Sequence, residues 1–227
     1  MTDFPEPSAF PKGASFTDGV WTQTLSPREA TQGRPALFLD RDGVLVEEAH
    51  YLHKVEAVQL TPNAASVVKA ANAQNIPVIL VTNQAGIGYG YFGWDDFVAV
   101  QAQIISDLAD GGAHIDGVFA CPFHIKGQTV YAHDDHPARK PNPGMLTLAA
   151  KMMGVDLSAS WIVGDRTLDV LAGKNAGLVG GVHVMTGHGS KDGEREAALA
   201  VGDLNYMVKG SENLSEALPL LGVLNQN

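Results

Sequence analysis

The stretch Pro35-Ala-Leu-Phe-Leu-Asp40-Arg-Asp42-Gly43-Val-Leu-Val46 constrains the chain most. A short apolar run ends in two carboxylates one residue apart, followed by a glycine. Residues 36–39 read as a buried strand, which puts Asp40 and Asp42 at its C-terminal tip. In an open α/β sheet, ligands bind in the crevice at that end of the strands. Two carboxylates this close repel unless they share a cation or one stays protonated. Hard divalent ions such as Mg²⁺ favour such oxygen clusters. Taken alone, the pattern also fits a strand ending in an acidic, solvated turn, so the rest of the chain has to decide.

Further apolar runs repeat the design. Pro77-Val-Ile-Leu-Val-Thr82 reads as a second strand, residues 115–120 as a third, Trp161-Ile-Val-Gly-Asp165 as a fourth and residues 180–185 as a fifth. Continuous apolar runs of this length are what buried parallel strands show. Helical periods lie between them. Thr61-Pro62 reads as a helix start, with Ala64, Val67, Val68 and Ala71 on one face. Phe97, Val100, Ile104, Ile105 and Leu108 mark a second helix, and Asn142-Pro143 opens a third with Met145, Leu148, Ala149 and Met152. Thr167 is the expected cap of the helix after Asp165, and residues 191–200 and 211–221 read as closing helices. The alternation predicts an α/β fold, a three-layer parallel sheet with right-handed crossovers.

Residues 1–34 carry Pro5, Pro7, Pro11 and Pro27 and no sustained period, and read as an N-terminal arm. Residues 35–227 read as one domain. Residues 44–60 read as a small flap or hairpin, with Glu47, Glu48, His50 and His53 expected at the surface and contact of one of them with substrate as the alternative. Tyr89, Tyr91, Phe92 and Trp94 follow the second strand near the expected site mouth. Packing of the next helix is their expected use, stacking on a ligand the alternative.

Parallel strands bring all their tips to one edge, which gathers Asp40, Asp42, Thr82, Asn83, Asp165 and Asp169 with Lys140 from a long loop. Carboxylates to hold Mg²⁺, with a hydroxyl and an ammonium, suit a phosphoryl group, whose transfer needs mainly positioning and charge neutralisation. The net charge of −10 over 227 residues argues against a nucleic-acid or anionic-membrane surface. It leaves a small phosphorylated metabolite as the expected partner. The single cysteine, Cys121, agrees with a reducing compartment. With no apolar run of spanning length and no secretory pattern at the start, a cytoplasmic protein is expected. The oligomeric state is not readable, and a monomer is compatible with the sequence.

Four motifs in order, Asp40-Arg-Asp42-Gly-Val-Leu, Val81-Thr82-Asn83, Lys140 and Gly164-Asp165-Arg-Thr-Leu-Asp169, resemble those of the haloacid dehalogenase (HAD) superfamily of phosphatases. Asn83-Gln84-Ala-Gly86-Ile and Arg139-Lys140-Pro141-Asn-Pro143-Gly144-Met145 resemble the branch that holds heptose 1,7-bisphosphate and histidinol-phosphate phosphatases. The resemblance implies a HAD-like fold without a separate cap domain, with the flap and a short loop as a partial lid. It implies that Asp40 is the nucleophile and Asp42 the general acid and base. Mg²⁺ would be held by Asp40, the main-chain carbonyl of Asp42, and Asp165. Thr82 and Lys140 would grip phosphoryl oxygens, with Lys140 also keeping Asp40 ionised. Asn83 and Arg139 would contact substrate, and Arg41 and Arg166 join them as candidates. Asp169 would support the site from behind or face solvent in the first helical turn. The implied substrate is a heptose 1,7-bisphosphate, with histidinol phosphate or another sugar phosphate as the alternative.

The chain departs from that branch in the loop before Arg139, where the resemblance implies a zinc site built as Cys-Pro-His followed by Cys-x-Cys. Phe123 stands at the histidine position, and His136 and Ala138 at the two later cysteine positions. Cys121, His124, His133 and His136 keep zinc-type donors at a different spacing, but a metal-free loop is the expectation. The competing functions are a receiver-like module or a non-catalytic binding protein. Asp42 speaks against the first, and the intact set of four motifs against the second.

Overall fold

A computed structural model of the chain describes residues 4–224. Residues 1–3 of the arm and 225–227 at the other end lie outside the described residues. Eight strands form one sheet: β1 (Ala14–Thr17), β2 (Val20–Thr24), β3 (Pro35–Leu39), β4 (Val78–Asn83), β5 (Gly117–Cys121), β6 (Asp156–Gly164), β7 (Gly180–Val184) and β8 (Met207–Ser211). The helices are α1 (Arg28–Thr31), α2 (Ala64–Ala73), α3 (Ala85–Gly88), α4 (Trp94–Asp110), α5 (Gly144–Met153), α6 (Thr167–Asn175), α7 (Glu194–Leu199) and α8 (Leu214–Ala217). The strand order is β1-β2-β5-β4-β3-β6-β7-β8. The six strands from β5 to β8 run parallel, while β2 pairs antiparallel with both β1 and β5. This is the α/β fold expected, with two antiparallel strands added at one edge.

The central strands are buried along nearly their whole length, as Val78-Ile-Leu-Val in β4 illustrates. Strands covered by helices on both faces have no polar side to show, so they read as unbroken apolar runs. Helix α2 buries Ala64, Val67, Val68 and Ala71, the predicted face. Helix α5 is turned slightly from the predicted face: Met145, Leu146, Ala149 and Met153 are buried, while Leu148 and Met152 are only partly so.

Two helix starts differ from expectation. Asn63, in a left-handed conformation, is the N-cap of α2, and the Thr61 hydroxyl bonds the carbonyl of Val44 at 2.7 Å instead. Arg166 is the N-cap of α6, and the Asp169 carboxylate accepts its main-chain N–H at 3.0 Å. The arm, in which no period was legible, contributes β1 and β2 and so extends the sheet. Strand β8 was also not anticipated. The flap at 44–60 is not a regular hairpin: bridges at Asp42–Val46 and Val46–Leu60 frame one 3₁₀ turn at Val55–Ala57. The chain from Asp42 to Thr82 is filled by this flap, α2 and most of β4, with no inserted domain. No helix among the described residues is long and apolar enough to cross a membrane.

Candidate active site

Register explains why the carboxylates meet. Leu39 lies opposite both Leu80 and Val163 in the parallel ladder, so Asp40 leaves β3 beside the ends of β4 and β6. Asp165 follows the last residue of β6, and Asp169 comes back from the first turn of α6. These three side chains bring ligand atoms within 4.8 Å of one another. Asp169 is fully buried, which removes the solvent-facing alternative.

Lys140 enters between them. Its ammonium donates to the carbonyl of Val81 at 2.8 Å and forms ion pairs with Asp40 Oδ1 at 2.9 Å and Asp169 Oδ1 at 2.6 Å. Asn83 fixes the lysine's backbone from β4: its amide donates to the Lys140 carbonyl and accepts the Lys140 N–H, both at 3.1 Å. The Asn83 side chain thus grips Lys140, and the residue also lines the cavity where the sequence expects a substrate contact.

Asp40 Oδ1 also accepts the Arg41 main-chain N–H at 2.8 Å, while Oδ2 accepts no protein hydrogen bond found among the described residues. The Asp42 carboxylate turns aside, onto the Arg41 guanidinium in a two-point contact at 3.0 Å. Gln84 donates to Asp42 Oδ2 at 3.1 Å and to Thr82 Oγ1 at 2.9 Å, tying the first two motifs together. Arg41 is 1% exposed, with its guanidinium over the Phe97 ring at 5.6 Å. Its side chain holds Asp42, and the residue lines the cavity.

The charge balance is uneven. Burial, reinforced by Asp169 and Asp42, outweighs the pull of Lys140 and pushes Asp40 up to about 7. Burial and the neighbouring Asp40 and Asp169 charges push Asp165 up to about 8. Burial opposes the charge on Lys140, but Asp169 and Asp40 outweigh it and hold the amine at about 12. Lys140 pulls Asp40 toward its ionised form, but one ammonium does not neutralise three buried carboxylates. A hard divalent cation would supply the missing positive charge.

The local backbone is shaped for such an ion. Gly43 (φ +81°) and Gly187 (φ +55°) face each other across Asp165, and a Cβ on either would strike Asp165 Oδ2. The His188 N–H donates to that same oxygen at 2.7 Å. The residues therefore fit Mg²⁺ at Asp40 and Asp165, with Asp169 in reach behind them and engaged by Lys140 and the Arg166 N–H. The carboxylate of Asp42 lies outside this cluster.

Above the carboxylates opens a cavity of about 250 Å³, also lined by Thr82, Arg139, Arg166, Glu48, His50, Tyr51, Tyr89, His124 and His188. Arg139 donates to the Phe123 carbonyl at 3.0 Å, and Arg166 is exposed. Glu48 and His50, expected at the surface, are wall residues, and Glu48 faces His188 at 3.8 Å. Phe92 and Trp94 are buried in packing, as expected; Tyr89 reaches the cavity and Tyr91 is 62% exposed. Gln84, Tyr51 and His188 were not assigned to the site from sequence. Gln84 was within reach, since it directly follows the second motif. His188 had no local signal, because only the fold brings the segment after β7 to Gly43.

The four zinc-type side chains make no such cluster. Cys121 is fully buried, and burial pushes its thiol up to about 12. His124, His133 and His136 each accept a main-chain N–H two residues on through Nδ1. Among the described residues, Asp40, Asp165 and Asp169 are the one group of three or more metal-type ligands in mutual reach.

A parallel sheet that gathers buried carboxylates, a lysine and a threonine at its strand ends defines a phosphoryl-transfer site of the HAD type. Residues 137–205 match the HAD-hydrolase-like family model. The D-glycero-β-D-manno-heptose-1,7-bisphosphate 7-phosphatase of Mesorhizobium japonicum is 40% identical over 209 residues, covering 92% of each chain. The enzyme of the same name from Pasteurella multocida is 37% identical, over 78% of this chain and 98% of its own. Among solved structures, a HAD-like phosphatase from Mesorhizobium loti matches with a TM-score of 0.79 and 37% identity, over 92% of this chain and 94% of that one. The D,D-heptose 1,7-bisphosphate phosphatase of B. bronchiseptica, solved with magnesium and phosphate, matches with a TM-score of 0.68 and 28% identity, over 82% and 97%. The chain belongs to this family of HAD-like phosphatases, and is a hydrolase of phosphoric monoesters.

Proposed function

We propose that this hydrolase removes the C7 phosphate of D-glycero-D-manno-heptose 1,7-bisphosphate in the cytoplasm, with Asp40 as nucleophile. The observation that carries the mechanism is the state of Asp40: Lys140 and the Arg41 N–H occupy Oδ1, and Oδ2 is left without a protein donor at the cavity floor. Oδ2 attacks phosphorus as the bond from phosphorus to the sugar oxygen breaks. Asp42, protonated from solvent, releases the Arg41 fork and gives its proton to that leaving oxygen. It then takes a proton from the water that attacks the aspartyl-phosphate, which returns Asp40 to a carboxylate and frees phosphate. Mg²⁺, held by Asp40, Asp165 and the main-chain carbonyl of Asp42 with Asp169 behind, would neutralise charge on the phosphoryl oxygens. Thr82 orients the phosphoryl group. Lys140 does so through Asp40, with which it is ion-paired.

The substrate rests on the relatives named above and on the cavity walls. Arg139 and Arg166 add positive charge to the cavity walls beside Lys140, which suits a ligand with a second phosphate. The test is phosphate release from a panel holding both heptose 1,7-bisphosphate anomers, histidinol phosphate, other sugar phosphates and nucleotides, with Mg²⁺ and with EDTA. A heptose bisphosphate is expected to lead by at least about a hundredfold, with activity lost in EDTA and in Asp40→Asn. A leading histidinol phosphate would overturn the substrate, and activity retained in Asp40→Asn would overturn the mechanism.

A further inference from the structure

The segment 122–140 carries Arg139 and Lys140 to the cavity with almost no regular structure of its own. It holds one three-residue turn, Thr129–Tyr131, and one isolated bridge, His124–Ala132. Main-chain bonds tie His124 to Tyr131 and His133 and Gln128 to Gly88, and Asn83 holds Lys140; side-chain packing has to place the rest. Here the packing is aromatic, and much of it comes from the N-terminal segment.

The rings of Phe123 and His136 stack with centroids 3.7 Å apart and planes 4° from parallel. Phe4 sets its ring edge-on to Phe123 and stacks on Tyr131, both at 5.8 Å. The Tyr131 hydroxyl accepts from Trp94 Nε1 at 2.9 Å and donates to the Pro5 carbonyl at 3.4 Å. Trp94 in turn stacks on Trp21 of β2 at 5.6 Å and meets Phe16 of β1 at 5.0 Å. The Asp18–Gly19 turn between β1 and β2 closes the cluster. Gly19 has φ +76°, and a Cβ there would lie 2.7 Å from the Phe4 ring and 2.9 Å from Phe123. The anchored residue reaches the site directly, because the Phe123 carbonyl accepts from the Arg139 guanidinium.

We propose that residues 4–24 are a positioning element of the active site: Phe4 and the Asp18–Gly19 turn fix Phe123, and through it His136 and Arg139, so that segment 122–140 presents Arg139 and Lys140 in register with Asp40. The proposal rests on the reading that Arg139 and Lys140 act at the site. It gives the N-terminal strands a task beyond extending the sheet. No disulfide can do this work, since Cys121 is the single cysteine.

The test uses the full chain with Phe4→Ala and the milder Phe4→Leu. Amide hydrogen exchange is followed by mass spectrometry, alongside kcat and KM on heptose 1,7-bisphosphate and on p-nitrophenyl phosphate. In Phe4→Ala, exchange is expected to rise in peptides spanning 122–140 and to stay at parent level in β3, β4 and β6. The KM for the bisphosphate should rise about tenfold, more than for p-nitrophenyl phosphate, which has less for Arg139 to hold; leucine should restore most of it. A purely structural role would speed exchange throughout and leave the ratio of the two KM values unchanged. Unchanged exchange in 122–140, or faster exchange there with parent kinetics, would overturn the proposal. If Phe4→Ala does not purify folded, Phe4→Leu is read by the same criteria with smaller effects. A parent protein inactive on both substrates would refute the functional reading, while the exchange data would still decide whether Phe4 holds the segment.

Discussion

Lys140 is the residue on which the site's charge balance turns. It faces Asp40 and Asp169 inside the protein, and both partners lose their only buried ammonium if it is removed. Lys140→Met keeps the length of the side chain but strands two carboxylates. It is expected to lower stability by about 3–5 kcal/mol in chemical denaturation and to cut kcat by at least about a thousandfold. Stability within about 1 kcal/mol of parent would mean that the carboxylates simply take up protons. His136 behaves differently. Burial, aided by His133 and opposed by Asp18, pushes it down to about 4 from an ordinary value near 6.5. The unfolded chain therefore binds more protons than the folded one between those values. The contribution of neutral His136 is full above about pH 6.5 and is lost as pH falls toward 4. His136→Phe retains the stack on Phe123 without the titration, so its melting temperature should fall less than the parent's between pH 7 and pH 5. Equal slopes would remove His136 as the cause. Asp40, Asp42, Thr82, Lys140 and Asp165 were legible because each sits beside a strand tip or in a motif whose spacing is local. Glu48 and His188 meet each other from segments far apart in the chain, and nothing adjacent to them in sequence announces that.

At the scale of elements, the turn after β3 and the turn after β7 form one structure around Asp165. The Thr186 hydroxyl donates to the Gly43 carbonyl, and Gly43 and Gly187 leave space only for the carboxylate oxygen between them. Gly187→Ala would place a methyl group against Asp165 and strain a left-handed residue. It is expected to weaken Mg²⁺ binding about tenfold or more in a titration followed by melting temperature, while the metal-free fold persists. Parent affinity for Mg²⁺ would show that Asp165 does not hold the ion. The central strands could be read because burial on both faces leaves an uninterrupted apolar run. Edge strands carry no such mark. Residues of β1 and β8 are mostly half-buried, and Lys209 and Gly210 lie within β8. Helix caps misled for a related reason: the hydroxyl of Thr61 has a better-placed tertiary acceptor in Val44 than the helix it precedes.

For the whole molecule, the net charge of −10 and the anionic substrate class are reconciled by segregation. Arg139, Lys140 and Arg166 converge on one cavity, and the metal would add further positive charge there. The flap, the segment 122–140 and the turn after β7 wall that cavity from three sides, so a compact phosphorylated sugar is enclosed without a separate cap domain. The proposed mechanism has one direct chemical consequence: the phosphoryl group passes through Asp40. The most direct measurement is acid quenching of Asp42→Asn, mixed with Mg²⁺ and p-nitrophenyl phosphate, whose leaving group needs no proton from Asp42, followed by peptide mass spectrometry. Slowed breakdown of the intermediate is expected to leave one phosphoryl group on the peptide that contains Asp40, and none in Asp40→Asn. Phosphate release by the parent with no phosphoryl group trapped, or a group trapped on another residue, would contradict the account.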